Sequence, residues 1–412
     1  SYTTHIPVLQ ARGIRVEYTK PPTNIVVFKD ANLEKAIRDA LGIPTELLKK
    51  EDLAGLVELN YDGKAGDKIT NLTGLEHCVN LLYLYLSNNQ ISDISVLSSL
   101  KKLRIFDFGN SPINDISALS NLTKLTDIRL WFCKITDITP LTGLTNLTAI
   151  NFTENKLNNI NPLTNLTNLN TLKLAHNQLS DVSPLANLTN LTRLEFNDNQ
   201  ISNIKPLVEN TGISGEINLT NNLLNNISLT SHIPALKARG ITVEHDEVPA
   251  DIIKMSNSDF EASLRKGLNI PTETITVSNT STISDLNLVN TGVVDLDVEA
   301  LKALPKLKSI NLTNNPLSKD AILVQIPELE FSGIKVDLGT SAAARVKLSA
   351  EKTELPASLA STTDITVTVA DASGKPVKRE TVDLTVDKGT IQSPAANNGD
   401  GTYTATYAAT DV

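Results

Sequence analysis

Aromatic residues are scarce in this chain, at 4% of the sequence, with a single Trp and a single Met. A core built mainly on large rings is therefore excluded, and the position of each ring carries information. Two cysteines are too few for a disulfide framework. No apolar run approaches the ~18 residues that span a bilayer, and no secretory leader opens the chain, so no membrane insertion is expected within it. A surplus of cations is missing as well. The net charge is -9 and the pI about 5.2, which argues against nucleic acid or an anionic membrane as the main partner.

What the chain does have is one phrase written seven times between Leu81 and Leu224. It opens as Leu81-x-x-Leu84-x-Leu86-x-x-Asn89-x-Ile91, and the Asn89 position returns at Ser111, Cys133, Asn155, Asn177 and Asn199, every 22 residues. A seventh copy reaches Asn222 one residue late. Repetition at this period is the signature of a leucine-rich-repeat solenoid. Leu84 and Leu86 alternate with Tyr83 and Tyr85, so a short strand sends leucines one way and variable residues the other. One coil cannot bury its leucines alone, whereas stacked coils share a continuous core.

The Asn sits where the strand turns away, and its amide can answer backbone groups that the bend would leave unpaired. Ser111 is expected to do part of that work and Cys133 very little. The return arms carry Pro140, Pro162, Pro184 and Pro206 in register, which suits short helical turns on the convex side. With the Leu-Thr-Asn-Leu-Thr spelling from Leu163 to Thr167, this 22-residue form resembles the bacterial internalin-type repeat, from about Ile25 to His245.

The expected fold class is an α/β leucine-rich-repeat solenoid with helical N-terminal caps, followed by an all-β immunoglobulin-like sandwich. His5-Ile6-Pro7 to Ile14 nearly repeats His232-Ile233-Pro234 to Ile241, a closing motif, so residues 1–22 read as the end of a preceding array. Residues 23–247 form the main repeat domain, with a cap at 25–72, repeats at 73–224 and a closing segment at 225–247. Its cap helix should bury Leu33, Ile37, Ala40 and Leu41, start at Asp30 or Asn32 and stop at Gly42. The cap strand near Leu56 to Tyr61 and the seven repeats suggest a concave sheet of eight, ~40 Å across at ~4.8 Å per strand.

The cap grammar restarts at Ser258, with Phe260, Leu264 and Leu268 in the buried places, and only two coils follow. Residues 248–340 therefore read as a short, degenerate repeat module and a spacer. From 341 to 412, Ile365–Val369 and Thr381–Val386 alternate as strands between the turns at 371–376 and 397–401. This stretch resembles the immunoglobulin-like domains of invasins and intimins, shortened here by a strand or two. Export and anchoring signals are expected outside the sequence.

Cys78 takes a core leucine's place and Cys133 an Asn's, ~10 Å apart or more, so both are expected as buried thiols. The scarce aromatics gather on the variable face of the first three coils. A recognition patch of Tyr83, Tyr85, Arg104, Asp107, Arg129, Trp131 and Phe132 is expected there, since Trp, Tyr and Arg dominate binding hot spots. The alternative is that Trp131 and Phe132 pack on neighbouring coils and bind nothing, because aromatic ladders also stabilise sheets.

No catalytic, cofactor or metal site is expected. Glu154, His176 and Asp198 share a column but have no nucleophile or enclosed pocket beside them. The resemblances imply an extracellular bacterial adhesin at the cell surface or wall, its array gripping a protein or glycan and its immunoglobulin-like domain serving as stalk. A second reading is a structural spacer or surface-layer component that associates with itself. A third, accessory modules of a carbohydrate-active enzyme, needs a catalytic domain that these residues do not supply.

Overall fold

The computed structural model describes residues 5–16, 24–63, 66–339, 345–351, 362–370, 374, 376–377, 382–387, 389–398 and 401–409. They fall into two units, Ser1–Glu247 and Val248–Val412. In the first, nine three-residue strands form one parallel sheet in chain order. They are β1 (Glu58–Asn60), β2 (Tyr83–Tyr85), β3 (Ile105–Asp107), β4 (Asp127–Arg129), β5 (Ala149–Asn151), β6 (Thr171–Lys173), β7 (Arg193–Glu195), β8 (Glu216–Asn218) and β9 (Thr242–Glu244). The sheet has one strand more than the eight expected.

Pairing is in strict register, so Leu59, Leu84, Phe106, Ile128, Ile150, Leu172, Leu194, Ile217 and Val243 form one buried row. A shift of one residue would turn this whole row to solvent, which fixes the register. The arms return through tight 3-10 turns such as Thr139–Leu141, Asn161–Leu163 and Ser183–Leu185, each with Pro in its first positions. Ahead of them Asp115, Asp137 and Asp181 accept from the amides of Ser117, Thr139 and Ser183 at 2.8 Å, closing the bend locally.

The asparagines act as a ladder between coils. Asn177 Oδ1 accepts from Leu157 N–H at 2.9 Å, while its amide nitrogen donates to Phe152 O and Leu174 O at 3.0 Å. Asn155 and Asn199 repeat the pattern one coil to either side. Ser111 departs from the expectation: its hydroxyl is buried with no hydrogen-bond partner at all. One carbon shorter than Asn, it cannot reach the amide of the preceding coil. Cys133 manages only long sulfur contacts, 3.7 Å to Phe108 O and 3.6 Å to Trp131 O.

The cap helix, Ala31–Leu41, begins at Asp30, which accepts from Asn32 N–H and Leu33 N–H, and ends at Gly42 in the left-handed region. Leu33, Ala36 and Ile37 are its buried residues. Ala36 thus takes the place expected for Ala40, which is exposed, while Leu41 is only half-buried against the core. Arg38 clamps the cap by pairing with Glu34 at 2.7 Å and donating to Ile43 O and Glu46 O.

The second unit repeats this cap. In the helix Ser258–Leu268, Arg265 pairs with Glu261 at 2.7 Å and donates to Ile270 O and Glu273 O. Phe260 and Leu264 are buried, whereas Leu268 is half-buried. Three parallel strands follow, β10 (Asp285–Asn287), β11 (Ser309–Asn311) and β12 (Lys335–Asp337).

The remainder is an antiparallel sheet of β13 (Arg345–Ala350), β14 (Thr362–Ala370), β15 (Thr390–Ile391), β16 (Ala396–Asn397) and β17 (Thr402–Ala408), with Val367, Val369, Tyr403 and Ala405 as its core. The expected strand at 381–386 is not one of the assigned strands among the described residues: Val382 O accepts from Ala395 N–H at 2.8 Å, but Leu384 N–H donates to the Ser393 hydroxyl rather than continuing a ladder. The turns at 371–376 and 397–401 lie partly outside the described residues.

Candidate ligand-binding face

Register places the variable residues of the sheet in two rows. One runs Tyr83, Ile105, Asp127, Ala149, and the other Tyr85, Asp107, Arg129, Asn151. Their side chains alternate with the buried row and therefore stand on the opposite face. Tyr85, Asp107 and Arg129 are thus direct neighbours across three strands, with Tyr83 one row away. Arg104 and Phe132 stand at opposite ends of this zone, one residue before β3 and three after β4, and both are exposed.

Charge in the zone is organised around Arg129. Its guanidinium donates twice to Asp127, at 2.8 and 3.1 Å, and lies 3.7 Å from Asp107. The Asp127 hydrogen bond holds the Arg129 pKa above its ordinary value against desolvation, with the charges of Asp127 and Asp107 helping. Asp107 also accepts from the Ser87 hydroxyl. Burial and the nearby Glu58 carboxylate push the Tyr85 phenol up, so it remains a donor. The result is a fixed guanidinium fork between two carboxylates, flanked by phenols, which suits hydrogen bonding with a polar or aromatic partner.

Neither aromatic of the third coil is in the interior. Phe132 is 55% exposed, and Trp131 is half-buried. The indole packs against Gly109: a Cβ added there would meet its Cε2 and Nε1 at 2.1 Å. Gly109→Ala is therefore expected to lift the ring, cost about 1–3 kcal/mol of array stability and change the emission of the chain's one Trp, as fluorescence-monitored denaturation would show.

Phe132 has φ 54°, in the left-handed region where the matching residues of other coils are Asn88, Asn110, Glu154, His176 and Asp198. For a ring-bearing residue that conformation costs on the order of 1–3 kcal/mol. Asp127 was missing from the expected patch; its alternation with Arg129 along the strand was the available signal. Gly109 was missed because its value lies only in the ring packed upon it.

The other chemistry-bearing groups sit apart. His176 Nε2 lies 3.3 Å from Asp198 and is half exposed, on an open face. Cys78 is fully buried, and desolvation pushes its thiol up to about 12. Cys133 is only half-buried, contrary to expectation, with its thiol raised to about 11, again chiefly by desolvation. Among the described residues no group of three or more His, Cys, Asp or Glu could hold a metal ion, and no helix is long and apolar enough to cross a membrane.

Comparison with known proteins agrees with this architecture. A family model described as leucine-rich repeats (2 copies) matches residues 79–121 and 167–209, and one described as invasin, domain 3, matches residues 342–412. No curated protein sequence matches. Among solved structures, internalin C2 of Listeria monocytogenes is 30% identical over 55% of this chain and 100% of its own, with TM-score 0.50. A second internalin of that organism, InlF, is 27% identical over 78% of this chain and 93% of its own, with TM-score 0.51. With its capped 22-residue repeats and its invasin-type immunoglobulin-like domain, the chain belongs to the internalin-like leucine-rich-repeat proteins.

Proposed function

We propose that this is an extracellular bacterial adhesion protein that binds a protein ligand on the concave face of its first three repeats. The immunoglobulin-like domain acts as its stalk at the cell surface. The observation that carries the reading is the coincidence of Tyr83, Tyr85, Asp107, Arg129 and Trp131 on one open face of a chain otherwise poor in rings. Fold maintenance does not require Tyr85, Asp107 and Arg129 there, since the matching places of later coils hold Asn151, Lys173 and Glu195. Large, stiff rings with a pre-paired guanidinium lose little entropy on binding.

A pull-down from host-cell surface proteins, beside a glycan array, tests the reading. The wild-type chain should capture a protein, and Trp131→Ala should weaken capture about 30-fold or more, the ~2 kcal/mol of a hot spot. Capture unchanged by Trp131→Ala would move the contact elsewhere. Growth of the chain into assemblies at high concentration in light scattering would favour a self-associating structural role.

A further inference from the structure

The departures from the repeat pattern are concentrated in the second and third coils. Ser111 and Cys133 replace ladder asparagines, and Phe132 occupies a left-handed position otherwise held by polar residues. These residues meet at an open hollow of about 410 Å3, at the end of the strands, that Lys68, Gln90, Lys134 and Glu154 also line. That volume falls within the ~300–1,000 Å3 typical of small-molecule sites.

The lining has an unmet chemical demand. Ser111 is 3% exposed and its hydroxyl has no partner. In intact coils the ladder Oδ1 accepts the amide twenty positions earlier, as Asn89 does for Ile69 and Asn155 for Ile135. At Ser111 that amide belongs to Ile91, which is buried and is offered no side-chain acceptor by the shorter residue. At the lining itself the unmet group is the Ser111 hydroxyl, which an oxygen acceptor would satisfy. Two lysines border the same space. Lys68 already donates to Gly63 O and Asn88 O, which fixes its charge there, whereas Lys134 is exposed and makes no ion pair among the described residues. Buried donors and two ammonium groups together favour a carboxylate.

A bare carboxylate would leave most of the space open. Phe132 offers an exposed ring to an apolar face, while Gln90 and Glu154 offer a donor and an acceptor to hydroxyls. We propose that this cavity binds an acidic sugar, whose carboxylate supplies the acceptor oxygen that Asn supplies in the intact coils. The saccharide ring stacks on Phe132. This explains why a strained aromatic is kept at φ 54°, a conformation that Asn or Gly would adopt more cheaply. The site shares only Phe132 with the concave patch, so Ser111→Asn leaves Tyr85, Asp107, Arg129 and Trp131 in place and the two readings fail separately.

Calorimetric titration of the whole chain with glucuronate, glucose, acetate and a short glutamate-containing peptide decides the matter. Glucuronate should bind at millimolar or better affinity, at least about tenfold tighter than glucose or acetate, a gap of ~1.4 kcal/mol. Ser111→Asn should restore the ladder, raise the thermal midpoint and abolish glucuronate binding. Lys134→Gln should weaken binding about tenfold without altering the midpoint. Tighter binding of methyl glucuronide than of the free acid would assign the end of a glycan, and the reverse order a free monosaccharide. Equal binding of glucose, preference for the peptide, or silence toward glucuronate would each overturn the proposal, the last leaving only water in the cavity.

Discussion

Asn177→Ala is expected to lower the stability of the repeat array by about 3 kcal/mol. The side chain is 8% exposed and serves two coils at once. Its removal leaves Leu157 N–H buried without an acceptor, and such an orphan costs about 1–3 kcal/mol. The carbonyls suffer less, because Phe152 O keeps the Asn155 amide and Leu174 O keeps that of Asn199. Loss of the packed amide adds the remainder. Because coils are stabilised by their neighbours, the damage should spread outward from the sixth strand rather than remain in one residue. Urea denaturation followed by Trp131 emission reports on the array alone, since that Trp is the chain's only one and lies within it. An unchanged midpoint would mean that the ladder is ornamental.

Phe106→Ala should cost more, about 3–5 kcal/mol. Phe106 is fully buried, pairs across the sheet with Leu84 and Ile128, and stacks on Phe108 at 4.4 Å between ring centroids. Its loss removes the transfer energy of a whole ring, opens a cavity, and forfeits about 0.5–1.5 kcal/mol of ring pairing. Phe106→Leu restores the residue that the first coil already uses at Leu84 and should cost under about 1.5 kcal/mol. The alanine variant should also bind ligand poorly, because Phe106 lies between Ile105 and Asp107 on the strand that presents them. Equal midpoints for the two variants would contradict the packing described here.

Periodicity made most of the fold legible. Leu84, Phe106 and Ile128 recur at a fixed step and can bury themselves only by stacking, so strand, face and register follow together. The duplicated caps were legible for the same reason. Positions set by distance were not. Ser111 carries the right atoms for partial service, yet its reach decides the outcome. Ala36 and Ala40 both lie near the apolar stripe, and helical spacing does not say that Ala36 is the buried one. Val382–Val386 alternates like a strand, but alternation does not supply a ladder: Val382 O takes one backbone bond from Ala395, and the Leu384 amide turns to the Ser393 hydroxyl. At the candidate site, the rows of rings and charges could be read from the repeat, whereas the Trp131–Gly109 contact and the cavity beside Ser111 required coordinates.

Partner binding is assigned to one surface of the first three coils. Hydrogen–deuterium exchange of the whole chain, free and with its captured protein ligand, tests that surface directly. Protection should fall on peptides spanning 82–88, 104–110 and 126–132, with the return arms at 92–99 and 114–120 unchanged. Protection of those convex arms, with the strand peptides exchanging as in the free chain, would contradict it.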